Sequence, residues 1–133
     1  MKKVALVFIL FGWLGSVLAA RPPKLTLLAP QDGASWKLGS RQTISWSVVP
    51  EIEATMYITL WGYNSARQVI PFGVLGEMPC KAGRFLWQVG NCPSRKVNPG
   101  DYFIRIWFFQ GAEKIIAGNA SPFHITSNWI IMN

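Results

Sequence analysis

The sequence predicts an all-β fold, an immunoglobulin-like or fibronectin III-like antiparallel β-sandwich of seven or eight strands. Apolar and polar residues alternate at period two in short runs, and turn residues separate nearly all of these runs. No amphipathic window of helical period is long enough to compete. The clearest run is punctuation followed by strand: Pro30, Gly33, Trp36 and Gly39 lead into Ile44, Trp46 and Val48.

Strands are expected at 24–28, 42–48, 55–61, 68–75, 84–89, 102–109, 113–117 and 122–126. In the second, Ile44, Trp46 and Val48 share one face and Thr43, Ser45 and Ser47 the other, which gives one dry and one wet sheet surface. The same rule assigns Met56, Ile58 and Leu60, then Phe85, Trp87 and Val89, to the core. Tyr102, Ile104, Ile106 and Phe108 form the inner face of the longest strand. Tyr102 follows Pro99-Gly100-Asp101, where a tyrosine corner would set its hydroxyl against backbone.

The chain divides into a secretory signal peptide (1–20), one sandwich domain (21–127) and an apolar C-terminal tail (128–133). Lys2 and Lys3 precede an apolar stretch that ends in Val17-Leu18-Ala19-Ala20, a leader with cleavage expected after Ala19 or Ala20. The stretch falls short of the roughly 20 apolar residues of a spanning helix. No transmembrane segment is expected after cleavage, and the mature chain is expected in the periplasm or outside the cell, associated with the cell surface. Loss of the two lysines reduces the net charge from +7 to about +5. The basic residues are scattered, with Arg95-Lys96 the one adjacent pair after the leader, so nucleic-acid binding is not expected.

Several of these residues carry a family resemblance. Pro30-x-x-Gly33-x-x-Trp36-x-x-Gly39, Ile44-x-Trp46, Phe85-x-Trp87-x-Val89, Gly100-x-Tyr102-x-Ile104 and Ser121-Pro122-Phe123-x-Ile125 span nearly the whole mature chain. Together they resemble the N-terminal immunoglobulin-like domain of the fungal cell-wall β-glucan assembly (KNH-type) and Ser/Thr-rich GPI-anchored surface proteins and their bacterial relatives. The resemblance implies an extracellular module associated with cell walls or surfaces, with no catalytic residues to transfer. The matching positions are core and turn residues, which speak for fold more than for function.

Function is expected on the outer sheet face. Alternation turns Tyr57, Thr59 and Trp61 outward from one strand and Phe103, Arg105, Trp107 and Phe109 from another, and in a fibronectin-like order those strands are neighbours. Tyr57, Trp61, Phe103, Arg105, Trp107 and Phe109 are therefore the candidate ligand or partner face. Such a surface suits a second envelope or surface protein, or the sugar rings of a cell-wall polysaccharide with Arg105 donating to hydroxyls. A third reading lets the tail, Trp129-Ile130-Ile131-Met132, fold over it. The tail is otherwise an exposed strand former that could pair with a sheet edge, including that of a second copy.

Cys80 and Cys92 are the two cysteines, and an oxidising compartment invites a disulfide between them. Against it, the strand at 84–89 would hold them roughly 17–20 Å apart, where bridged Cα atoms lie about 5.5 Å apart. Free or intermolecular thiols remain the alternative. No metal or other cofactor is expected, because neither cysteine has a C-x-x-C partner or a nearby histidine.

The inventory of reactive groups points away from an enzyme. His124, the sole histidine, sits on an outward strand position, and Asp32 and Asp101 lie in turns where they are expected to satisfy local backbone groups. Glu51 and Glu53 share a loop without the fixed separation of a glycosidase pair. Asn119-Ala120-Ser121 is a glycosylation sequon followed unfavourably by Pro122. A non-catalytic, secreted structural or protein-interaction module is the expected function, with carbohydrate binding on the aromatic face as the alternative.

Overall fold

The computed structural model describes residues 22–127; the leader and the tail at 128–133 lie outside the described residues. Among these, the chain forms β1 (Lys24–Ala29), β2 (Ser35–Lys37), β3 (Arg41–Val49), β4 (Thr55–Tyr63), β5 (Val69–Pro79), β6 (Arg84–Gln88), β7 (Gly100–Gln110), β8 (Glu113–Gly118) and β9 (Phe123–Thr126), with one 3-10 turn at Cys80–Ala82. Every expected segment forms a strand. The addition is β2, whose three residues are too few to show a period and which pairs in parallel with β9.

One sheet has the order β1-β3-β6 and the other β2-β9-β7-β4-β5, with β8 pairing the far half of β7. This is the two-sheet arrangement of an immunoglobulin-like or fibronectin III-like sandwich. The inner faces meet as alternation requires: Ile44 and Trp46 from one sheet, and Met56, Ile58, Leu60, Ile104, Ile106 and Phe108 from the other, are buried. Each such aliphatic or aromatic side chain contributes about 1.5–3 kcal/mol by leaving water. Trp36 of β2 closes one edge of this core, its ring 6.3 Å from Trp87 and 5.5 Å from Phe123.

Polar atoms carried into the core are satisfied. Trp46 Nε1 donates to the Cys80 carbonyl at 2.8 Å and Trp87 Nε1 to the Asn91 carbonyl at 2.9 Å. Tyr102 forms the tyrosine corner: its hydroxyl donates to the Asn98 carbonyl at 2.6 Å and accepts from the Asn98 amide at 3.2 Å. Burial pushes the Tyr102 phenol above its ordinary pKa of 10.0; the Asn98 amide pulls the other way and proximity to Cys92 adds to the rise.

Between β8 and β9 the last edge breaks step, and Asn119 repairs the gap. Its amide oxygen accepts from the Ile104 backbone N–H at 2.9 Å, and its amide nitrogen donates to the Pro30 carbonyl at 2.8 Å and to Asp32 Oδ1 at 3.1 Å. One side chain thus ties β7 to the turn after β1. Asp32 is engaged across the fold, whereas a turn aspartate was expected to bond locally. Gly118 precedes this junction because a Cβ there would stand 2.6 Å from the Ile104 carbonyl oxygen.

Asn119→Ala leaves the Ile104 amide and the Pro30 carbonyl without these partners, and should lower the unfolding free energy by about 2 kcal/mol in urea titrations. Tyr102 provides a pH test. A folded pKa above the unfolded value means full stability below about pH 10 and a loss as pH rises through the folded pKa. Tyr102→Phe should flatten that alkaline decline while lowering stability at neutral pH by about 1 kcal/mol.

Candidate interaction face

The outer face of the second sheet is built by the pairing of β4 with β7. Tyr57 stands opposite Trp107, Thr59 opposite Arg105 and Trp61 opposite Phe103. Opposed residues share a face, so this pairing brings five of the six candidate residues together, and Phe109, two positions beyond Trp107, stands opposite Lys114 of β8. They do not form a bare platform. Phe103 is 7% exposed and Thr59 only 3%, Tyr57, Trp61, Arg105 and Trp107 are half-buried, and Phe109 alone among the six is 51% exposed.

The cause is a ladder of rings and cations running across the strands. The Arg105 guanidinium lies 4.2 Å from the Trp61 ring centre, and the Lys114 ammonium, from β8, lies 4.2 Å from that of Trp107. Tyr57 stacks on Trp107 with centroids 6.2 Å apart and planes at 30°. Tyr63 meets Phe103 edge-on at 5.7 Å, and Arg67 sits 5.6 Å from the Tyr63 ring centre. Beneath them the Thr59 hydroxyl donates to the Arg105 carbonyl at 2.6 Å and accepts from Trp61 Nε1 at 3.0 Å. Each cation–ring contact contributes about 0.5–1 kcal/mol at such partly wet sites. More important for function, it occupies the face of the ring.

Around the ladder lie exposed apolar side chains: Val69 and Val74 of β5 on one flank, Phe109 of β7 and Ile116 of β8 on the other. The outer face of the first sheet is chemically different. Thr26, Ser47, Thr43, Ser45, Arg41 and Arg84 populate it, with Leu28, Val49 and Leu86 exposed among them. Lys114, Tyr63 and Arg67 belong to the ladder but were not among the expected site residues. The first two obey the same alternation, two positions from Ile116 and Trp61, whereas Arg67 lies in a hairpin loop that no period covers.

The cysteines correct one expectation: Cys80 and Cys92 are both buried and unpaired. The Cys80 amide donates to the Ala54 carbonyl at 2.9 Å, near the start of β4, whereas Cys92 Sγ would lie 3.1 Å from a Cβ placed on Gly73. The length of β5 from Gly73 to Pro79 lies between these sites, on the order of 20 Å at strand rise. The loops flanking β6 do not fold back across it to bring the sulfurs together. Burial raises the Cys80 thiol above its ordinary pKa of 9.0, against the pull of its backbone hydrogen bond.

Of the other titratable side chains, His124 is not isolated on its strand. It stands opposite Asp101 in the β7–β9 register, with Nδ1 2.7 Å from Asp101 Oδ1, so that aspartate also reaches across strands. Lys81 and Glu53 form an exposed ion pair at 3.4 Å. No group of three or more His, Cys, Asp or Glu side chains among the described residues could hold a metal ion. No helix among the described residues is long and apolar enough to cross a membrane.

No protein-family model matches the chain, and no curated protein is similar enough to it to count as a relative.

Ellman's reagent should detect two free thiols once the protein is unfolded in denaturant without reductant. The native protein should react much more slowly, because both sulfurs are buried. Absence of thiols after unfolding would contradict the unpaired assignment.

Proposed function

We propose that the protein is a non-catalytic, secreted module of the cell envelope or surface that binds an acidic protein partner through the outer face of its second sheet. The observation that carries this reading is the contrast between its two outer faces. One is a surface of serine, threonine, lysine and arginine with a few exposed aliphatic side chains and no aromatic ladder; the other is an aromatic and cationic ladder bordered by Val69, Val74, Phe109 and Ile116. Aromatic and arginine side chains with apolar neighbours are the composition of interface hot spots. Arg105 and Lys114 give that face positive charge, and Glu77 stands opposite Tyr57 in the β4–β5 register. An acidic partner complements that positive charge.

The carbohydrate alternative is weakened by the same geometry. Sugar rings stack on open indole faces, whereas Arg105 lies over Trp61 and Lys114 over Trp107. Strand addition along β5 is also disfavoured: Pro71 and Pro79 remove donors and two register breaks interrupt its pairing with β4. Side chains, not a free strand edge, are the natural contact on this flank. The KNH-type resemblance supports placement at a cell wall or surface.

Photocrosslinking in the source cells tests the proposal, with benzoylphenylalanine placed at Phe109 or Ile116 and, as controls, at Val49 or Leu86. The expected result is an adduct from the first pair, removed by protease, with none from the controls. Adducts that resist protease and yield to glycan cleavage would instead establish the carbohydrate reading. Equal adducts from both faces, or none, would overturn the face assignment.

A further inference from the structure

Arg67, at the end of the ladder, also lines a cleft of about 670 Å³ at the end of the sandwich where β4 turns into β5. Arg95 and Lys96, from the loop between β6 and β7, line it with Arg67. Among the described residues, none of the three forms an ion pair with a carboxylate. Asp101 is the acid on its rim, and it is engaged by His124 at 2.7 Å. At the opposite end of β4 a separate cavity is lined by Glu53, Glu77 and Lys81, with Lys81 paired to Glu53 at 3.4 Å. Net positive charge is therefore concentrated in the concave end that holds Arg67, Arg95 and Lys96.

Two of the cations are held in place. The Arg95 guanidinium lies 4.6 Å from the centre of the Phe72 ring, and that ring is itself fixed edge-on against Tyr102 at 5.4 Å. Arg67 lies against Tyr63 and has a backbone φ of +64°, a left-handed conformation in which glycine would be cheaper. The loop enforces it: Asn64 Oδ1 accepts from the Ala66 and Gln68 amides at 2.9 and 2.8 Å, and the Arg67 amide donates to the Asn64 carbonyl at 2.9 Å. A strained position occupied by arginine, with its planar fork braced against a ring, suits a role outside the fold. Ser65 and Asn98, also lining the cleft, have side chains with no hydrogen-bond partner among the described residues.

We propose that this cleft binds an acidic polysaccharide, taking carboxylate, sulfate or phosphate oxygens on the guanidinium forks of Arg67 and Arg95, and sugar hydroxyls on Ser65 and Asn98. Planar guanidinium groups match such oxyanions bidentately. A peptide would need apolar anchors, but the rings here are committed to one another and to the cations. The site shares Tyr63 and Arg67 with the end of the ladder, but Ser65, Arg95, Lys96 and Asn98 lie in loops beyond the strands of the protein-binding face. It gives the module a means of holding an anionic envelope polymer while the sheet face engages a partner.

The test is the affinity of the full chain, expressed with its leader, for polygalacturonate, dextran sulfate and phosphomannan, with neutral dextran and polyglutamate as comparisons, at about 150 mM salt. At least one of the three acidic glycans should bind, and the glycans distinguish which oxyanion is preferred. Arg67→Gly combined with Arg95→Ala should weaken that binding about tenfold or more. Arg67→Gly alone should weaken it while leaving the melting temperature unchanged or higher, which separates recognition from structure. Lys24→Ala with Arg84→Ala removes the same charge from the first sheet and should change affinity less than about twofold. Equal loss in that control, equal binding of polyglutamate, or no binding of any acidic glycan would overturn the proposal.

Discussion

The antiparallel pairing of β4 with β7 sets both faces of the second sheet at once. With Ile58 opposite Ile106 and Leu60 opposite Ile104, these buried aliphatic side chains fill the centre of the sandwich. The intervening positions then have no choice: Tyr57 must face Trp107 and Trp61 must face Phe103 on the outside. A one-residue slip would place indoles and a guanidinium in the core and expose isoleucines to water. The hydrophobic effect that fixes the fold therefore also fixes the ladder.

Features at the periphery follow from that frame. β7 is long because it serves three partners, β4 on one side and β9 and β8 in succession on the other. The change of partner leaves backbone groups uncovered, and the Asn119 side chain supplies what the interrupted strand does not. The same asparagine is the acceptor of a formal glycosylation sequon, but its amide nitrogen already donates to Pro30 and Asp32. At the far end of β4, the hairpin loop and the loop before β7 converge because their strands are paired, and that convergence concentrates Arg67, Arg95 and Lys96.

Much of this was legible in the sequence, for a reason that also explains the gaps. Period-two alternation in 44–48, 56–60, 85–89 and 102–108 reports burial directly, so the core and the outward set from Tyr57 to Phe109 could be read residue by residue. Tyr102 could be placed because its turn precedes it. Alternation does not report what a neighbouring side chain does over a ring. That Arg105 covers Trp61 and Lys114 covers Trp107 depends on rotamers, and it changes the candidate site from an open aromatic platform to a closed one. Nor does alternation reach loops, where Arg67 takes a conformation that its residue type gives no reason to expect. The expected disulfide followed from compartment; strand length, also visible in the sequence, pointed the other way and prevailed.

The most direct measurement is the proton NMR spectrum of the Arg105 and Lys114 side chains. If the register of β7 with β4 and β8 sets the ladder, the methylene protons next to the Arg105 guanidinium and the Lys114 ammonium lie close to indole faces and are shifted upfield of ordinary values. Trp61→Leu should then return Arg105 to normal, and Trp107→Leu should do the same for Lys114, each without affecting the other. Ordinary shifts for both in the native protein would contradict the account, because the indole faces would then be open and the case for a protein partner over a sugar would lose its basis.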